Sequence, residues 1–149
     1  MKLKLFSLFL LAFVTLSCKK DKFTTEPQVK VTSISPDEVF AGNLINLKAD
    51  YTDNEGDLDS ALIVYKFYSA NTVTKHDTFP YPFKGLNLPP KTRDATLVVT
   101  FEYHSTNTGN VTLPSVSKDT TATLGLILID KASHRSNYSE SDRIRLKKV

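Results

Sequence analysis

From residue 28 onward the chain alternates apolar and polar residues with a period of two. In NLINLKADY, Ile45, Leu47, Ala49 and Tyr51 fall on one face, and Asn46, Lys48 and Asp50 on the other. In ATLVVTFEYHS, Leu97, Val99, Phe101 and Tyr103 alternate with Thr96, Val98, Thr100 and Glu102. A two-residue repeat is the side-chain period of a half-buried β-strand. Two further runs, Ala61–Tyr68 (ALIVYKFY) and Ala122–Ile129 (ATLGLILI), are apolar on both faces. Their β-branched and aromatic residues suit central strands. QVKVTSIS before Pro36 and DRIRLKKV at the C-terminus supply a first and a last strand, and TVTKHDTF a polar edge strand. No segment has helical periodicity.

The connections agree with this reading. SPDEVFAGN places Pro36 and Gly42 at turn spacing. FPYPFKGLNLPP holds four prolines, which cannot donate to an interior ladder, so the reading places it in an irregular loop. Seven short strands with turn signals between them predict an all-β, seven-stranded antiparallel β-sandwich over residues 28–149. With no Trp and one Cys, its core must be built from Val, Ile, Leu, Phe and Tyr.

The first residues are of a different kind. MKLKLFSLFLLAFVTLSC begins with Lys2 and Lys4, continues through an apolar run from Leu5 to Leu16, and reaches small Ser17 before Cys18. That is the layout of a secretory signal, and its run is well short of the ~20 residues that span a bilayer. Residues 1–17 are therefore expected to be a cleaved signal peptide, and the polar KKDKFTTEP after Cys18 a tether, giving 18–27 as a lipidated linker. Cys18 is the only cysteine, so no disulfide can form within the chain. VTLSC resembles the lipobox of bacterial lipoproteins, although Thr15 stands where leucine is usual. CKKDK resembles the start of many Bacteroidetes lipoproteins, which implies acylation of Cys18 and anchoring in the cell envelope, at the outer membrane on its periplasmic or surface face.

Charge changes the picture only by exclusion. Without Lys2 and Lys4 the formal charge of +3 falls by two, leaving no electrostatic case for nucleic-acid binding. Arg143, Arg145, Lys147 and Lys148 read as a solvated end of the chain.

SISPDEVFAGNLINLKADYTDNEGDLDSALI and, much later, LILIDKASHRSNYSESDRIRL resemble single immunoglobulin-like or cadherin-like domains of Bacteroidetes lipoproteins. There a TDxEGDL turn follows the second strand and a D-x-A-G-N-x-S-N turn precedes the last. Here Ser133 and His134 stand where Gly-Asn is usual. The resemblance implies a fold and a place rather than a task.

The chemistry candidates centre on YTDNEGDLD, which carries Asp53, Glu55, Asp57 and Asp59, with Asn54 between them. The EF-hand pattern fails, because Leu58 occupies its glycine position. A cadherin-like calcium site fits better, collecting Asp53, Glu55 and Asp57 from one turn and Asp130 from the turn before the last strand. The two turns can fall at the same end of such a sandwich. The other reading, which is favoured, is a solvated turn chosen for its turn propensity. For catalysis, His76, His104 and His134 sit in no metal-spacing motif and no GxSxG elbow occurs, so the chain is not expected to be an enzyme. Phe79, Tyr81 and Phe83 are either an aromatic platform for a glycan or envelope protein, or loop anchors, the second being favoured. The Asn110 and Asn137 sequons are chance matches for an exported bacterial chain. Asp59-Ser60-Ala61 and Asp119-Thr120-Thr121 resemble short O-glycosylation acceptors. The expectation is a lipid-anchored, non-catalytic envelope lipoprotein acting as an accessory or binding module, or else as a calcium-stiffened structural or adhesion domain.

Overall fold

The computed structural model describes residues 25–83, 91–105 and 111–149. The signal segment, Cys18 and most of the tether lie outside the described residues, as do residues 84–90 of the proline-rich stretch. The described chain forms ten strands and no helix: β1 (Gln28–Ser35), β2 (Glu38–Val39), β3 (Leu44–Thr52), β4 (Leu58–Ser69), β5 (Thr72–Pro82), β6 (Asp94–Tyr103), β7 (Val111–Leu113), β8 (Thr120–Asp130), β9 (Ser139–Glu140) and β10 (Ile144–Leu146). No described helix is long and apolar enough to cross a membrane.

The strands make two sheets. One has the order β1-β3-β6-β7, and the other β2-β10-β8-β4-β5 with β9 also paired to β8. The alternation read from the sequence sets what faces inward. Ile45, Leu47, Ala49 and Tyr51 of β3 and Leu97, Val99, Phe101 and Tyr103 of β6 are buried. Opposite them, Ala61, Ile63, Tyr65 and Phe67 of β4 and Ala122, Leu124, Leu126 and Leu128 of β8 join the same core. β4 and β8, apolar on both faces, are the inner strands of the larger sheet.

Three features depart from the sequence reading. The three additional strands, β2, β7 and β9, are only two or three residues long and carry too little pattern to be seen. The sheets are mixed rather than wholly antiparallel, since β2 runs parallel to β10 and β7 parallel to β6. Thirdly, β5 runs on through Phe79–Pro82 instead of ending in a loop. β5 is an edge strand paired only with β4. Phe83 N donates to Asp59 O, so the alternating N–H positions at Pro80 and Pro82 face the open side, where none is needed. Phe79 and Tyr81 turn inward instead, Phe79 lying 6.5 Å from Phe101 and Tyr81 6.1 Å from the buried Phe83. These aromatics are anchors.

The edge of the smaller sheet is closed by side chains. Asn137 Oδ1 accepts from Val29 N at 2.9 Å, and Asn137 Nδ2 donates to Val29 O at 2.8 Å. Ser139 Oγ accepts from Val31 N at 2.8 Å. One asparagine amide thus stands in for a neighbouring strand along β1. Beside it Tyr138 lies flat on β8, where a Cβ on Gly125 would fall 2.5 Å from its ring. Replacing Asn137 by Ala is expected to lower unfolding free energy by about 1–3 kcal/mol, the cost of stranding partly buried polar groups. Chemical denaturation of the two proteins checks it; an unchanged midpoint would mean that water replaces the amide.

Candidate metal site at one end of the sheets

The register between β4 and β8 pairs Leu58 with Asp130. The turn that enters β4 and the turn that leaves β8 must therefore meet. In the first turn, Asp53 N donates to Arg93 O, and Asp53 Oδ2 accepts from Asp57 N at 2.8 Å. Gly56 adopts φ +64°, and a Cβ there would fall 2.5 Å from the Lys91 backbone. Only glycine fits that approach. In the second turn, Asp130 Oδ1 accepts from His134 N and its Oδ2 meets His134 Nδ1, both at 2.8 Å. Lys131 N donates to Asp57 O at 3.2 Å and ties the two turns together.

The result is a group of carboxylates. Oxygens of Asp53, Asp57 and Asp130 lie within 4.8 Å of one another. Two oxygens each bound ~2.4 Å from one ion lie at most about 4.8 Å apart, so the spacing suits a shared cation. Asp53 is fully buried and Asp130 nearly so. Asp53 Oδ1 and Asp57 Oδ1 are buried without a hydrogen-bond partner, and no other buried side-chain atom among the described residues is in that state. Burial pushes the Asp53 carboxyl above its ordinary value, and the negative fields of Asp57, Glu55 and Asp130 add to the shift. The hydrogen bond from Asp57 N pulls the other way.

Of the residues singled out from sequence, Asp53, Asp57 and Asp130 are brought together. Glu55 sits exposed at the tip of the turn, accepting from Asn54 Nδ2, and Asp59 lies exposed at the start of β4. Neither belongs to the group. His76 lies in the middle of β5 opposite Lys66, and His104 is exposed after β6. His134 pairs with Asp130 through its ring Nδ1. Ser133 occupies the left-handed region, φ +70°, where the resembling motif has glycine. The turn forms with a strained residue at that position.

No family model matches the sequence, and no curated protein matches it either. Solved structures with a related chain path include the alkylpurine DNA glycosylase AlkC of Pseudomonas fluorescens, bound to DNA containing an abasic site analog. It is 11% identical with a TM-score of 0.42, covering 83% of this chain and 31% of that one. Spo0M, a sporulation control protein of Bacillus subtilis, is 12% identical with a TM-score of 0.44, covering 85% of this chain and 51% of the other. The CARDB domain of the PF1109 protein from Pyrococcus furiosus, in complex with di-metal ions, is 13% identical with a TM-score of 0.30, covering 85% and 98%. The chain thus spans about a third of the glycosylase and half of Spo0M. Likenesses at this level assign neither a family nor a function.

Two outcomes follow from the geometry. Ser133→Gly is expected to stabilise the protein by about 0.5–1 kcal/mol, because relief of the left-handed backbone outweighs glycine's extra freedom when unfolded. A fall in melting temperature would contradict it. The second concerns pH in EDTA. The folded Asp53 holds its proton more tightly than the unfolded chain, whose aspartates titrate near 3.9. Its contribution is therefore fully present below that value and is lost as pH rises through the folded pKa. Urea denaturation of wild type and Asp53→Asn across this range should show wild type losing stability relative to the variant as pH rises.

Proposed function

We propose that the chain is a lipid-anchored, non-catalytic protein of the bacterial cell envelope, held through Cys18. Its single immunoglobulin-like β-sandwich is stiffened at one end by a calcium ion. The observation that carries this reading is the pair of partnerless buried oxygens on Asp53 and Asp57, facing a third carboxylate on Asp130. A buried carboxylate oxygen left unpaired is costly, and three such groups together repel one another. A hard divalent cation removes both penalties, and calcium takes its remaining ligands from carbonyls and water. Asp53, Asp57 and Asp130 would hold it.

The strand orders support an immunoglobulin-like arrangement. β1-β3-β6 faces β10-β8-β4-β5, and β2 crosses from one sheet to the other to run parallel with β10. The pairing of Gln28 with Thr52 starts β1 at the acidic end. The proposed ion therefore lies at the end of the sheets where the first strand begins. An ion there would fix the two turns where the domain meets its linker, the role expected of a structural or accessory module. Cys18→Ala should move the protein from the membrane fraction to the soluble fraction, while intact mass of the native protein reports the acyl chains.

The ion is tested by thermal melting in calcium and in EDTA. Calcium at a hundredfold excess over its dissociation constant should add about 2.7 kcal/mol to wild type. Asp53→Asn keeps an acceptor for Asp57 N, and its amide can donate to a neighbouring carboxylate. It should melt at or above wild type in EDTA and show no calcium increment. A wild-type melting temperature identical in millimolar calcium and in EDTA would end the proposal.

A further inference from the structure

The opposite end of the larger sheet carries a second feature. β8 runs from Thr120 to Asp130, so its two ends are about 33 Å apart at ~3.3 Å per residue. At the Thr120 end an open cleft of about 330 Å³ is lined by Tyr68, Ser69, Ala70, Lys118–Thr121, Arg143 and Arg145. Three cations face it, against one carboxylate, Asp119. That carboxylate is already engaged, its Oδ2 by Lys147 Nζ at 2.6 Å and its Oδ1 by Lys148 N at 3.0 Å. Both contacts hold the Asp119 carboxyl below its ordinary range.

The arginines are held in place. Arg143 stacks over the Tyr68 ring, its guanidinium carbon 4.1 Å from the ring centroid. Its Nη1 donates to Ala70 O at 3.1 Å and to Asn71 Oδ1 at 3.2 Å, which leaves Nη2 and Nε as further donors. Arg145 uses Nη1 for Glu38 at 3.0 Å and keeps its other donors. Lys118 has no acidic partner among the described residues. A stacked, hydrogen-bonded guanidinium has already lost most of its rotamer freedom, so it binds an oxyanion at low entropic cost. The Tyr68 face is covered by Arg143, so it offers no sugar-stacking surface.

We infer that this cleft binds a small polar ligand, about the size of one sugar residue, through a carboxylate or phosphate group. The oxyanion sits among Arg143, Arg145 and Lys118, with the Thr121 hydroxyl at its edge. The cleft lies at the end of the sheet away from the start of β1.

The test is a two-dimensional amide NMR titration at constant ionic strength in EDTA, with glucuronate, glucose 1-phosphate and neutral glucose as probes. EDTA makes the outcome independent of the calcium reading. Saturating shifts confined to residues 68–71, 118–121 and 143–145 are expected with at least one acid and none with glucose; the acid that saturates identifies the oxyanion. Arg143→Gln and Lys118→Gln should each weaken that binding by about tenfold, the scale of one lost charge-assisted contact. Lys118 is exposed and has no side-chain hydrogen bond or ion pair among the described residues, so its variant decides the matter if Arg143→Gln disturbs the spectrum elsewhere. Shifts that fail to saturate with both acids, equal shifts with glucose, or full affinity in a folded Lys118→Gln protein would overturn the inference.

Discussion

The antiparallel ladder between β4 and β8 is the constraint on which the rest of the molecule depends. Its register pairs Leu58 with Asp130 at one end and Tyr68 with Thr121 at the other. The first pairing delivers Asp57 and Asp130 to the same place, and the second sets Tyr68 beside the Thr120–Thr121 rim. Both strands are apolar on their inward faces, so a one-residue slip would turn either Ile63 and Tyr65 or Leu124 and Leu126 away from the core. The hydrophobic effect thereby fixes where the charges go.

Those charges are divided between the ends. At the end where β1 begins, three carboxylates crowd together with two oxygens unpaired, and burial, with the neighbouring charges adding to it, raises the Asp53 pKa. At the other end Arg143, Arg145, Lys118 and Lys147 outnumber Asp119 and Glu38 around the open cleft. The acidic end is closed and strained, which suits an ion that stays. The basic end is open, with Arg143 stacked, Arg145 and Lys147 paired and Lys118 without an acidic partner among the described residues, which suits a ligand that exchanges. The two ends of the β4–β8 ladder thus carry opposite charge, one buried and one open.

Much of the fold was legible in the sequence because period-two alternation survives wherever a strand has one wet face. QVKVTSIS matches β1 residue for residue, and the doubly apolar ALIVYKFY and ATLGLILI are indeed central. β2, β7 and β9 escaped notice because two or three residues hold no period. Phe79–Pro82 was misplaced because proline excludes a strand only where its missing N–H faces a partner, and sequence does not say which side is open. The acidic turn was legible in part. Asp53 and Asp57 are a local motif, and Asp130 follows from sandwich topology, whereas the exposure of Glu55 depends on the path of a single turn. Asn137 and Ser136 belong to the resembling motif and prove to be hydrogen-bond partners of β1 and of β8. Arg143 and Arg145 read as a solvated tail, because nothing in the sequence places Tyr68 or Lys118 beside them.

A cation residing among Asp53, Asp57 and Asp130 is the central expectation. A high-resolution crystal structure of the protein grown in millimolar calcium, with anomalous scattering, measures this directly. One anomalous peak is expected ~2.4 Å from a carboxylate oxygen of each of the three residues, with Asp53 Oδ1 or Asp57 Oδ1 among its ligands. A map with no peak there, the two oxygens hydrogen-bonded to ordered water instead, would contradict it.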